Sequence, residues 1–115
     1  MRIIAGTKRG MSLLSLPGEE ITRPTTDRVK EALFGAIQFQ IYDSIVLDLF
    51  SGSGALGLEA VSRGAQRAFL VERDGKAAAI IRKNIQKAGF ADRAELMMCD
   101  YRQAIASLAA KGVQV

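Results

Sequence analysis

Three carboxylates and one glycine-rich turn carry the chemistry this chain can offer. The apolar run Ile45-Val-Leu-Asp-Leu49 brings in Asp48 and leads through Phe50-Ser51 into Gly52-Ser-Gly-Ala-Leu-Gly57. That last segment has GxGxxG spacing, in which glycines permit a tight turn and let a nucleotide-like ligand lie against bare backbone. Two more acids follow later apolar runs: Glu72 after Ala68-Phe-Leu-Val71, and Asp100 after Leu96-Met-Met-Cys99. Glu72 lies about 20 residues beyond the turn, the spacing of a carboxylate that accepts from both ribose hydroxyls. Asp100 can accept from an exocyclic amine such as that of adenine, with apolar neighbours covering the base. Asp48 discriminates between ligands. A carboxylate at a helix N-terminus repels a pyrophosphate there and attracts a ligand bearing a sulfonium and an amino group. The turn also lacks the GK[ST] ending of a Walker-type phosphate loop.

These residues favour S-adenosyl-L-methionine over NAD. Each acid also has a purely structural role open to it: Asp48 can cap the turn, Glu72 can pair with Arg73 or Arg93, and Asp100 can cap a following helix. The coincidence of all three with the glycine turn points to a nucleotide-type site.

The rest of the composition narrows the chemistry. Histidine is absent and Cys99 is the only cysteine, which removes a disulfide framework, a zinc site and the commonest general base. No metal is expected. Cys99 reads as a buried, inert thiol in a strand pattern. Of the 115 residues, 49% are hydrophobic and 24% charged, an ordinary globular balance with room for one domain and a real core. The formal charge of +4 leans only slightly toward polyanionic partners. No apolar run approaches membrane-spanning length and the N-terminus has no signal-peptide core, so a soluble, cytoplasmic protein is expected.

The elements that must position these residues can be read from periodicity and turn signals. Residues 1–44 form an N-terminal unit. Arg2–Ala5 and Met11–Leu16 read as short strands around Gly6-Thr-Lys-Arg-Gly10, with Lys8 and Arg9 at the tip. Pro17-Gly18 turns the chain, and Thr25, Thr26 or Asp27 caps a helix through Gln38 with Val29, Ala32, Leu33, Ala36 and Ile37 at helical spacing. Residues 45–115 then alternate strand and helix: strand Ile45–Leu49, apolar as if covered on both faces; helix Ala55–Ser62; strand Ala68–Val71; a helix from Asp74 or Gly75 through Ala88; strand Ala94–Cys99; helix Tyr101–Ala110. This order predicts an α/β, Rossmann-like, doubly wound and mainly parallel sheet with ligands at the strand C-terminal ends. Val113-Gln-Val115 looks like the opening of a fourth strand. The expectation is a fold truncated after its third βα unit, with the Ile45–Leu49 edge open to self-association.

Asp48-Leu-Phe-Ser-Gly-Ser-Gly-Ala-Leu-Gly-Leu-Glu59 resembles the first cofactor motif of class I methyltransferases. With Arg23-Pro-Thr-Thr-Asp-Arg-Val-Lys-Glu-Ala-Leu-Phe34 and Met1-Arg-Ile-Ile-Ala-Gly-Thr-Lys-Arg-Gly10, the whole chain resembles the RsmD-type bacterial ribosomal RNA methyltransferases. The resemblance implies methyl transfer from S-adenosyl-L-methionine to the exocyclic N2 of a guanine in small-subunit (16S) ribosomal RNA. It assigns Asp48, Phe50, Ser51, Gly52 and Gly54 to the amino-acid end of the cofactor. Glu72, with Arg73 adjacent, goes to the ribose, and Asp100 and Tyr101 to the adenine. Thr25, Thr26 and Arg28 would begin the helix that closes over the methionine end. Lys8 and Arg9, and more loosely Arg23, would contact RNA. The family's Asn/Asp-Pro-Pro-Tyr motif, whose oxygens accept from the target amine, has no counterpart here. Pro17 and Pro24 are the only prolines, so no catalytic residue is assigned and the chain is expected to bind without turnover. Three other readings of the residues stay open: an NAD(P)-binding oxidoreductase fragment, a non-catalytic RNA-binding module, and a purely structural fragment with neither activity.

Overall fold

A computed structural model of the chain describes residues 2–15, 41–49 and 52–113. The helix expected through Gln38 lies outside these residues. So do Arg23, Thr25, Thr26, Arg28, Phe50 and Ser51.

From Ile45 the order is β1 (Ile45–Asp48), α1 (Ala55–Ser62), β2 (Arg67–Val71), α2 (Gly75–Ala88), β3 (Ala94–Met97) and α3 (Tyr101–Ala110). The three strands form one parallel sheet in the order β1-β2-β3, as expected for strands joined by helical crossovers. Asp48 is in register with Leu70, and Val71 with Met97.

The helices follow from local chemistry. Asp74 caps α2 by accepting from Ala77 N at 2.9 Å, and Gly89 ends it. Between them Ala77, Ala78, Ile81, Ile85 and Ala88 are buried on one face, the 3.6-residue pattern of a helix packed on a core. α1 has no side-chain cap and is entered through Gly54 in the left-handed conformation, φ 83°. A Cβ on Gly57 would sit 2.9 Å from Leu70 Cγ, so this glycine lets α1 lie directly on β2. Ile3, Leu13, Leu58, Val61, Ala68, Leu70, Ile81 and Ile85 share one core cluster. Phe69 and Val71 alternate with Ala68 and Leu70 and are also buried, so β2 is covered on both faces.

Four expectations need correction. β1 is only half-buried at every position, because it pairs with β2 alone among the described residues and forms the sheet edge. β3 stops at Met97 rather than Cys99, since β2 ends at Val71 and leaves Met98 and Cys99 no partner to extend the ladder. Cys99 is therefore a half-buried residue in the loop after β3, not a buried strand residue. The N-terminal strands reduce, among the described residues, to one antiparallel bridge, Arg2 with Ser12. The reason is competition for donors. Ile4 N and Ala5 N donate to the Glu59 carboxylate on α1, at 2.9 and 3.1 Å, instead of to a neighbouring strand.

Candidate functional site

The parallel sheet brings two of the three acids to one rim and places the third just beyond it. Asp48 is the last residue of β1, and Glu72 follows the last residue of β2. Asp100 lies three residues past the end of β3, at the N-cap of α3. Leu49, Glu72, Arg73, Asp74, Cys99, Asp100, Tyr101 and Arg102 line a cavity of about 690 Å³, within the size range of small-molecule and cofactor sites. Asp48 is not among these lining residues, although its neighbour Leu49 is.

Glu72 organises the rim. Its Oε1 accepts from Gly52 N at 3.0 Å, while Oε2 accepts from Arg73 N at 3.1 Å and Asp74 N at 3.0 Å. One carboxylate thus ties the glycine turn after β1 to the loop that enters α2. These backbone partners replace the surface pairing with Arg73 or Arg93 that the sequence allowed. A carboxylate offers about four acceptor positions, so room for a ligand hydroxyl remains.

Asp100 has both structural and electrostatic duties. Its side chain accepts from Arg102 N at 2.8 Å, and Gln103 Oε1 accepts from Asp100 N at 3.1 Å, completing a capping box. Arg102 Nε lies 3.1 Å and Arg73 Nη1 3.8 Å from its oxygens. The hydrogen bonds from Arg102, side chain first and then backbone, hold the Asp100 carboxyl below its usual value, with both cations adding to the effect. Asp100 is therefore an ionised acceptor at neutral pH. Tyr101 is exposed at the cavity, with the Arg102 guanidinium 5.6 Å from its ring centroid. Asp48, whose Oδ2 is buried, has interactions of its own.

Lys8 and Arg9 lie at the far end of α1 from this rim. Thr7 N donates to Ser62 O at 2.8 Å and Lys8 N to Ser62 Oγ at 3.0 Å, whereas the glycine turn precedes Ala55. The helix between them is 8 residues long, so it separates tip from turn by about 12 Å. Arg9 is exposed, and with Arg2 it lines a smaller cavity of about 200 Å³. Among the described residues, no cluster of His, Cys, Asp or Glu could hold a metal ion, and no helix is long and apolar enough to cross a membrane.

Two residues that matter to this architecture were not anticipated. Glu59, fully buried on α1, holds Ile4, Ala5 and the Arg63 Nε at 2.9 Å. Asn84, fully buried on α2, bonds to Leu14 and to the carbonyl of Ser53 in the glycine turn. Asn84 is a polar residue on an otherwise apolar helix face, and that misfit is the signal the sequence offers; Glu59 shares its side of α1 with Ser62 and Arg63.

The parallel Rossmann-like sheet, with its glycine turn, acids at or just past successive strand ends and a cavity beside them, has the class I methyltransferase fold. The family model described as "Conserved hypothetical protein 95" matches residues 1–115, and the chain belongs to this family, that of the RsmD-type ribosomal RNA methyltransferases. It is 48% identical over 86 residues to ribosomal RNA small subunit methyltransferase D of Haemophilus influenzae, covering 75% of this chain and 44% of that protein. The protein of the same name from Escherichia coli K12 is 48% identical over 91 residues, 77% of this chain and 46% of the relative. A solved structure of a hypothetical protein from Thermus thermophilus superposes with a TM-score of 0.81 at 27% identity, over 99% of this chain and 64% of that one. The chain spans about half the length of the curated relatives it matches.

Proposed function

We propose that this chain is the cofactor-binding half of an S-adenosyl-L-methionine-dependent methyltransferase acting on the exocyclic N2 of a guanine in 16S ribosomal RNA. The observation that carries the reading is the grouping of Asp48, Glu72 and Asp100 around a glycine turn that has no phosphate-binding lysine. The residues present fit the cofactor. Glu72 and Asp100 line the cavity as acceptors for a ribose and an adenine amine, Asp48 immediately precedes the lining residue Leu49 as an acceptor for an amino group, and Leu49 and Tyr101 offer apolar and aromatic cover. When bound, the cofactor supplies an electrophilic methyl group on a sulfonium.

The chain's own part is binding and orientation. Asp48, with Phe50, Ser51, Gly52 and Gly54, holds the amino-acid end, and Thr25, Thr26 and Arg28 cover it. Glu72, with Arg73 adjacent, takes the ribose through its remaining acceptor position or by giving up the Gly52 N–H. Asp100 accepts from the adenine amine beside Tyr101. Lys8, Arg9 and Arg23 contact RNA phosphates. The distance of the hairpin tip from the rim supports backbone positioning by Lys8 and Arg9 rather than contact with the target base. The relatives' names support a small-subunit ribosomal RNA substrate and hence a cytoplasmic setting.

No residue of these 115 is assigned to accept the proton of the target amine. The chain therefore binds the cofactor and RNA without turnover. Transfer of a radiolabelled methyl group to 30S particles by this chain alone would overturn that statement. Competition between S-adenosylhomocysteine and NADH tests the cofactor: displacement by NADH would support an oxidoreductase fragment instead.

A further inference from the structure

Asn84 sits among Ile81, Ile85 and Ala88 on the core-facing side of α2 and is fully buried. A carboxamide is tolerated in such a place only when its hydrogen-bonding groups are satisfied. Here Nδ2 donates both hydrogens, to Leu14 O at 3.0 Å and to Ser53 O at 2.9 Å, and Oδ1 accepts from Leu14 N at 2.7 Å. The pair on Leu14 is what a neighbouring strand would offer. The third bond reaches the middle of the glycine turn, between Gly52 at φ 59° and Gly54 at φ 83°. A peptide is planar, so an oxygen held at Ser53 also fixes the direction of the Gly54 N–H across the same bond.

We propose that Asn84 is a positioning residue for the cofactor site. It sets the peptide plane of the glycine turn from behind and couples that turn to the N-terminal arm through Leu14. The proposal rests on the cofactor reading above for its ligand, but the clamp on the turn is a separate physical claim. Glu59 provides the contrast, because it holds the same arm at Ile4 and Ala5 without touching the turn.

The test compares Asn84→Asp, Asn84→Ser and Glu59→Gln, well below each variant's unfolding temperature. Asn84→Asp keeps the shape and removes both donors, leaving a carboxylate against two carbonyls. Asn84→Ser is a smaller perturbation, kept in case the aspartate variant does not fold. Amide hydrogen exchange should accelerate in Gly52–Leu58 by about tenfold or more in the Asn84 variants. Their dissociation constant for S-adenosylhomocysteine should rise by about tenfold or more. Glu59→Gln should loosen residues 2–8 and leave that constant within about twofold. Unchanged exchange in the turn for both Asn84 variants would overturn the clamp. So would an equal loss of affinity in Glu59→Gln, which would make both effects general destabilisation. If the unsubstituted chain binds no S-adenosylhomocysteine, the cofactor reading falls, and exchange in the turn alone decides whether Asn84 holds it.

Discussion

Asp48, Glu72 and Asp100 share a carboxylate but not a setting. Asp48 ends a strand at the turn, and replacing it with alanine should weaken S-adenosylhomocysteine binding roughly thirtyfold, about 2 kcal/mol for a hydrogen bond to a charged group. Calorimetry checks this, with an unchanged circular dichroism spectrum as the fold control. Asp100 sits below the usual carboxylate range because Arg102 donates to it. Its folded-state pKa is depressed, so whatever it adds to stability is present above the ordinary aspartate value and is lost as pH falls through the folded one. Carboxyl NMR should place its midpoint below that of a free aspartate, and Arg102→Ala should move it upward. An unshifted midpoint would mean that the ion pair does not form in solution. These three acids were legible in the sequence because each follows an apolar run. Glu59 and Asn84 were not, because their backbone partners lie 31 to 70 positions away, and spacing within a helix cannot show such pairings.

The element that concentrates these effects is α1, which carries the glycine turn at one end and the N-terminal arm along its length. Gly54→Ala forces a side chain into a left-handed conformation with its Cβ 3.0 Å from Leu70 Cδ2. It should cost about 1–3 kcal/mol in urea denaturation. Glu59→Ala strands the amides of Ile4 and Ala5 and removes the buried partner of Arg63. A loss of about 3 kcal/mol is expected, with protease sensitivity appearing first in the arm. A change below 1 kcal/mol, on the order of a single ordinary hydrogen bond, would show that the arm is held mainly by Ile3 and Leu13 in the core. The helices that follow β1 were readable to the residue, since Asp74, Gly89 and the apolar spacing of α2 are local signals. Strand ends were not. β3 stops where β2 has no further residue to pair with, and the arm forgoes a ladder because Glu59 takes its donors. Both outcomes depend on a partner element rather than on the strand itself.

At the scale of the whole molecule, the sheet presents β1 as an edge among the described residues, with its four residues half-buried. An apolar edge of this kind pairs readily with another strand. We predict concentration-dependent association of the chain by light scattering, reduced by Val46→Lys; a monomer at all concentrations would show that the edge is covered. The α/β class and the parallel order were legible from alternating elements. The openness of β1 followed from topology and not from its apolar composition, which had suggested cover on both faces. The claim on which the functional reading depends is that this fold binds S-adenosyl-L-methionine. The most direct measurement is calorimetric titration of the purified chain with S-adenosylhomocysteine and, separately, with NADH. Saturable one-to-one binding of the first, absent for the second and lost in Asp48→Ala, is the predicted result. Binding of NADH in preference, or no dependence on Asp48, would contradict it.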